Sequence, residues 1–170
     1  MRIAVVSDTH IGQRLSVFPR SFVERLDEFD GVIHCGDYTN MDALDFFRGL
    51  KLFYGVHGNM DDTEVKQALP ETLIIEIEGV KIGVIHGWGP PFGLELKMLR
   101  KISETYPNEK LDIVLFGHTH TPLNQTIKGI RVINPGALSG NIFSKKGSWG
   151  ILTIENGKID WQLISINPRD

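Results

Sequence analysis

Five short segments of this chain carry side chains that bind metal ions, and each stands at the end of an apolar run. They are Asp8-Thr9-His10, Gly36-Asp37, Gly58-Asn59-Met60-Asp61, His86-Gly87 and Gly117-His118-Thr119-His120. Carboxylate, amide and imidazole donors together describe a pocket for two metal ions, of a kind that suits Mn, Fe, Zn, Co or Ni better than a thiolate site does. In a strand leaving a sheet, residues two apart point the same way, so Asp8 and His10 are expected to meet one ion. His118 and His120 share that spacing and can serve one ion each if their loop bends. The glycines beside the donors (Gly36, Gly58, Gly87 and Gly117) let several strand ends crowd around a small space. Singly, an Asp-x-His or a Gly-Asp is an ordinary turn. Five such pieces in order, each at a strand end, are placed where open α/β sheets bind their ligands.

Strands must carry those loops. Short apolar runs predict strands over residues 3–6, 32–35, 52–56 and 113–116, of which the first is wholly apolar, mostly β-branched and fit to be buried on both faces, and the last is buried too. Helical spacing predicts helices over 19–29, 41–48, 61–68 and 92–106. Residues 73–77 and 81–85 flank a turn at 78–80 and read as a hairpin. Beyond Gly117, runs at 124–128, 131–133, 149–154 and 159–164 are separated by Gly129, Gly147 and Asn156-Gly157, as hairpin-connected strands should be. No linker, repeat or low-complexity tract interrupts the chain. The expected fold is one α/β (α+β) domain over residues 1–170: two mixed sheets face to face, with helices covering the outside.

Bulk properties narrow the function classes. A chain of 170 residues with 41% hydrophobic and 23% charged residues has the composition of an ordinary globular domain. Its formal net charge of −3 offers no general attraction to nucleic acid or to an anionic membrane. The single cysteine, Cys35, sits in an apolar run and fits a buried thiol in a reducing compartment. Four apolar residues before Ser7 are too few for a secretory signal, and no stretch approaches a membrane span. A cytoplasmic location is expected.

The ordered series from Asp8 to His120 resembles the calcineurin-like metallophosphoesterases, and in length and detail their small YfcE-type phosphodiesterase branch. Asn134-Pro135-Gly136-Ala137-Leu138-Ser139 is similar to the Asn-Pro-Gly segment near the end of that branch. The resemblance implies a four-layer αββα sandwich. It also implies that Asp8, His10 and His120 hold one ion, that Asn59, His86 and His118 hold the other, and that Asp37 bridges the two. Asp37 and Asn59 would be catalytic as well, Asn59 by touching substrate. The cofactors implied are two divalent ions, manganese foremost, with Ni, Zn, Fe, Co or Mg as alternatives. Such a pair shares a hydroxide that attacks phosphorus in line while the ions clamp the phosphoryl oxygens.

The chain departs from the family pattern in two places. Many relatives have a histidine, taken as the general acid, where this chain has Met60; the YfcE-type branch commonly lacks it too. Without that acid, activated or aryl phosphodiesters should turn over much faster than alkyl ones. His57 is a candidate substitute, or else a supporting or surface residue. After His86-Gly87 the chain continues with Trp88, not a second histidine. Trp88 and Phe92 either stack on an aromatic group of the substrate or anchor their loop against the core. His34 is expected to be buried and hydrogen-bonded near the ligands, and Asn134 to organise its own turn. Arg14 meets either a phosphate or only water, and Lys145-Lys146 reads as a charged turn.

The leading expectation is a divalent-metal phosphodiesterase acting on small organic or cyclic-nucleotide phosphodiesters. Alternatives are a phosphomonoesterase or nuclease of the same superfamily, or a non-catalytic scaffold like the retromer subunit Vps29. Scaffold versions tend to lose ligand histidines, whereas all seven positions here carry competent donors. The expected partner is a small phosphodiester, with no membrane and no stable nucleic-acid binding. A homodimer through Ile142, Phe143 and Trp161 is possible, although those residues could equally be core.

Overall fold

The expected strands form two five-stranded sheets in the computed structural model, which describes residues 1–141 and 145–170. In the first sheet β1 (Arg2–Val6), β2 (Gly31–His34) and β3 (Phe53–Gly55) run parallel, with Ile3 opposite Gly31 and Val32 opposite Phe53. In the second, β4 (Thr72–Ile77) and β5 (Val80–Ile85) form the expected hairpin, and β6 (Ile113–Leu115) lies parallel to β5. The hairpin of β7 (Leu123–Ile127) and β8 (Ile130–Asn134) completes that sheet, with β8 parallel to β6. The last hairpin, β9 (Gly147–Glu155) and β10 (Lys158–Ile166), returns to the first sheet, where β9 lies antiparallel to β1. Both sheets are therefore mixed, as expected.

Alternation along each strand sorts the core into layers. Ile3, Val5, Ile33 and Leu152 from the first sheet meet Ile82, Val84, Ile113 and Leu115 from the second between the sheets. The intervening residues Ala4, Val6, Val32 and Ile151 face outward, against Phe22, Leu44 and Phe47 of the covering helices. On the opposite side Val114, Phe116 and Val132 lie under Leu94, Met98 and Ile102 of α4 (Leu94–Thr105). The result is the four-layer αββα sandwich. Each large apolar side chain buried in it contributes about 1.5–3 kcal/mol.

Three helices differ from expectation. The helix over 19–29 is broken into α1 (Arg20–Val23) and a 3-10 turn, Leu26–Glu28. The Glu24 N–H still reaches back four residues to Arg20, but the Arg25 and Glu28 N–H groups reach back only three. So short a helix is marginal alone, and packing decides its path: the break lets Phe22 and Phe29 both set their edges on Trp149, at centroid distances of 5.3 and 5.4 Å. α2 (Met41–Arg48) matches its expected span, with Asn40 as its cap. α3 (Thr63–Ala68) starts two residues late because the Asp62 side chain caps it by accepting from the Val65 N–H. α4 starts at Leu94 because Gly93 before it is left-handed, at φ 66°.

Among the described residues no helix is long and apolar enough to cross a membrane. Ile142 and Phe143, offered above as a contact surface, lie outside the described residues. Trp161 packs against the inter-sheet core and covers Gly150, where a Cβ would stand 1.9 Å from its ring.

Candidate metal centre

All the donor loops leave the sheets at the carboxyl ends of parallel strands: β1, β2 and β3 in one sheet, β5 and β6 in the other. Face-to-face packing of the sheets brings the two sets of loops together. The local conformation is not the extended one that the Asp-x-His spacing suggested. Asp8 (φ 54°), His10 (46°), Asp37 (63°), His118 (69°) and His120 (57°) all adopt the left-handed region without being glycine. Asp8 and His10 converge because the backbone kinks at both, not because they alternate along a strand. Such conformations cost of order 1–3 kcal/mol each and persist where the surroundings over-determine them.

Those surroundings are a set of hydrogen bonds between loops. The Asp8 and His10 N–H groups donate to the carbonyls of Gly36 and Asp37, at 3.0 and 3.1 Å. Asp61, to which the sequence assigned no role, is buried and clamps two loops. One carboxylate oxygen accepts from the Gly58 N–H (2.7 Å) and the Asp37 N–H (3.1 Å), the other from the Thr39 N–H (2.7 Å). Only its place in Gly-Asn-Met-Asp, where a carboxylate can reach back to free backbone N–H groups, could have signalled this. Asn134 donates to the Gly117 carbonyl (2.7 Å) and accepts from the Gly136 N–H (2.8 Å), organising its turn as expected. His34 is buried and accepts from the Gly36 N–H at 3.0 Å, with Tyr38 stacked 3.7 Å from its ring.

Within this frame all seven expected donors form one chain of contacts. Nε2 of His120 lies 3.0 Å from Asp8 Oδ1 and 3.3 Å from His10 Nε2. Asp37 Oδ2 lies 3.7 Å from His10 and 3.2 Å from His86. Asn59 Oδ1 then stands 3.2 Å from His86 Nε2 and 3.0 Å from His118 Nδ1. Two groups have donor atoms within 4.8 Å of one another and can hold a cation: Asp8, His10 and His120, and Asp8, Asp37 and His86. The first is the expected trio. In the second Asp8 joins Asp37 and His86, and Asn59 Oδ1 meets the same His86 Nε2 that Asp37 Oδ2 does.

The donor chemistry fits cations. Asp8 Oδ2 accepts from the Ser7 hydroxyl (2.5 Å) and the His118 N–H (3.0 Å), whereas Oδ1 is buried and has only imidazole nitrogens near it, His120 Nε2 at 3.0 Å and His10 Nε2 at 3.7 Å. A buried carboxylate oxygen left so is costly unless a cation meets it. His86 Nδ1 faces the Cys35 carbonyl at 2.7 Å and His118 Nε2 faces that of Gly89 at 2.9 Å. Each ring thereby donates a proton away from the cluster and keeps its other nitrogen inward, where it can serve an ion once deprotonated. Burial opposes ionisation of Asp8, yet the imidazoles of His10 and His120 hold its carboxyl well below the usual range. Burial likewise opposes protonation of His86, but Asp37 and Asp8 push it up to about 9. Without a metal, the pocket is thus negative enough to retain a proton.

The remaining candidates lie around the rim. Met60 is half-exposed, and its N–H donates to Asp37 Oδ1 at 2.8 Å. His57 lines a small cleft with Asn59, His86, Lys66 and Trp88. Trp88 lies at the surface, with the Lys97 ammonium 4.4 Å from its ring, and Phe92 is 92% exposed. Neither aromatic is an anchor in the core.

The family model for the calcineurin-like phosphoesterase superfamily domain matches residues 1–157. A probable metallophosphoesterase of Methanocaldococcus jannaschii is 36% identical over 140 residues, which cover 81% of this chain and 68% of that protein. A phosphodiesterase of the same organism is 28% identical over 157 residues, 82% of this chain and 86% of that protein. Among solved structures, a Thermotoga maritima protein superposes with a TM-score of 0.77 at 37% identity, covering 97% of this chain and 99% of that one. Vps29 of Entamoeba histolytica, complexed with zinc, superposes with a TM-score of 0.72 at 24% identity, covering 97% and 99%. At that identity the likeness is one of fold.

Proposed function

The chain belongs to the calcineurin-like phosphoesterase superfamily, and from that premise we propose that it is a divalent-metal-dependent phosphodiesterase acting on small organic or cyclic-nucleotide phosphodiesters. The observation that carries this reading is the single contiguous cluster formed by Asp8, His10, Asp37, Asn59, His86, His118 and His120. On this reading Asp8, His10 and His120 would hold one ion and Asn59, His86 and His118 the other, with Asp37, which lies between His10 and His86, available to both. Manganese heads the candidate metals, followed by Ni, Zn, Fe, Co and Mg. When bound, such a pair supplies a water acidified to act near neutral pH and a positive clamp for the phosphoryl oxygens.

The protein's own side chains do the rest. Asn59 turns its Oδ1 toward His86 and His118, so its amide N–H groups remain to orient a substrate oxygen. Asp61 fixes the Asp37 and Gly58 loops at the spacing the cluster needs. Met60 cannot protonate a leaving group, which favours substrates whose leaving oxygen departs as a stable anion. We place the enzyme in the cytoplasm, acting on a small molecule without a membrane or nucleic-acid partner.

Phosphomonoester hydrolysis draws on the same donors, and the Vps29 likeness favours a scaffold by fold alone. The complete donor set supports the enzyme. The test is hydrolysis of bis(4-nitrophenyl) phosphate against 4-nitrophenyl phosphate by metal-stripped protein resupplied with Mn, Ni, Zn or Mg, beside Asp37→Ala. Metal-dependent diester cleavage that Asp37→Ala abolishes is the expected result. Faster monoester cleavage would make the protein a phosphatase, and a folded protein inactive with every ion would make it a scaffold.

A further inference from the structure

Two clefts flank the metal centre, and their chemistry differs. The one on the Asn59 side is small, about 150 Å³, and its wall carries one cation and one carboxylate, Lys66 and Glu71, beside Trp88 and Ile85. On the His120 side opens a cleft of about 560 Å³ whose lining includes Arg14, Ser139, Lys145, Asn167 and Arg169. Among the described residues three cations line it and no carboxylate does. None of the three forms an ion pair among the described residues, although most other arginines in the chain do. Nothing in a net charge of −3 foretold such a patch. Residues far apart in sequence make it: a loop after β1, the turn before β9 and the segment after β10.

Arg14 joins this cleft to the metal centre. Its Nη1 stands 3.2 Å from His120 Nδ1 and 3.5 Å from the Gly140 carbonyl. An imidazole that offers Nε2 to an ion carries its proton on Nδ1, where it cannot accept from a guanidinium. Arg14 then faces another donor, and only the longer contact to Gly140 remains. A guanidinium forks well onto the paired oxygens of a phosphate, and two more cations line the same cleft.

Building on the phosphodiesterase reading, we infer that this cleft binds a second phosphate carried on one arm of the substrate. The preferred substrate class is thus a phosphodiester with a phosphorylated arm beside Arg14, Lys145 and Arg169 and an uncharged arm toward Trp88. The diester itself reacts at the metal centre; the second phosphate is held and not cleaved.

Two readouts test this. The first compares kcat/KM for 4-nitrophenyl 2-phosphoethyl phosphate and 4-nitrophenyl ethyl phosphate, which differ only in the terminal phosphate. The expected preference for the phosphorylated diester is about tenfold or more, falling toward parity in Lys145→Ala/Arg169→Ala. The second needs no turnover: inorganic phosphate is titrated into zinc-loaded protein and followed by NMR. Saturable shifts at Arg14, Lys145 and Arg169, lost in the double variant, are expected. Equal kcat/KM for the two diesters in the wild type would overturn the inference, even if free phosphate binds. So would the absence of saturable shifts at those residues. Shifts as expected with neither diester cleaved would support the anion site and overturn the phosphodiesterase reading instead.

Discussion

Replacing Gly58 by alanine adds one methyl group to a backbone that tolerates it, since Gly58 is not among the positive-φ residues. The space does not tolerate it. A Cβ there would stand 2.1 Å from Asp37 Oδ1 and 2.7 Å from the Asp37 nitrogen. Ordinary non-bonded contact needs more than a further ångström, so the Asp37 carboxylate must retreat by about 1 Å or more. Its Oδ1 accepts from the Met60 N–H at 2.8 Å and its Oδ2 lies 3.2 Å from His86, so a retreat breaks the first contact and lengthens or shifts the second. Losing a hydrogen bond to a charged group costs about 1.5–3 kcal/mol, and a misplacement of about 1 Å at a reacting centre costs about 10²-fold in rate. Gly58→Ala should therefore lose about two orders of magnitude in kcat/KM on an aryl diester and bind manganese more weakly, while staying folded by circular dichroism. Gly49→Ala is the control, because a Cβ there meets only the Asp45 and Phe46 carbonyls at an ordinary 3.5 Å. Wild-type metal affinity and turnover in Gly58→Ala would refute the claim that Asp37 must sit where it does.

Asp61→Asn keeps the shape but puts an NH2 against backbone N–H donors; a loss of about 2–3 kcal/mol in urea denaturation is expected, and an unchanged midpoint would show that the clamp is dispensable. His34 is buried and neutral, and burial holds its pKa well below the ordinary 6.5. The unfolded chain takes up that proton first, so His34's share of stability is whole above about pH 6.5 and falls by up to about 1.4 kcal/mol per unit below it. His34→Phe, though less stable at neutral pH, should lose less stability than the wild type between pH 6.5 and 5, and parallel curves would contradict the buried neutral ring. Met60→His should raise turnover of alkyl diesters more than of aryl ones and so flatten the dependence of rate on leaving-group pKa. An equal effect on both classes would mean that position 60 lies outside proton reach of the leaving oxygen.

The strands and the donor loops were legible because both are local patterns: short apolar runs for buried strands, and chemically distinctive residues at their ends. What failed was whatever depended on packing from elsewhere in the chain. The helix at 19–29 breaks where two phenylalanines seek the same Trp149, more than a hundred residues away. The convergence of Asp8 and His10 was anticipated, but strand alternation was the wrong cause, because no sequence period reveals a left-handed backbone at a non-glycine residue. Asp61 was in view without a role, since its partners are backbone N–H groups of other loops. The cleft by Arg14 was invisible for the same reason, its three cations being spread from residue 14 to residue 169.

The central claim is that these seven side chains hold two ions side by side, and electron paramagnetic resonance of the manganese-loaded protein tests it most directly. Two ions about 3.5–4 Å apart give the spectrum of an exchange-coupled pair, which two equivalents of manganese should produce. His118→Ala should reduce it to that of one isolated ion. A spectrum of isolated manganese at every loading, or no retained manganese, would contradict the account.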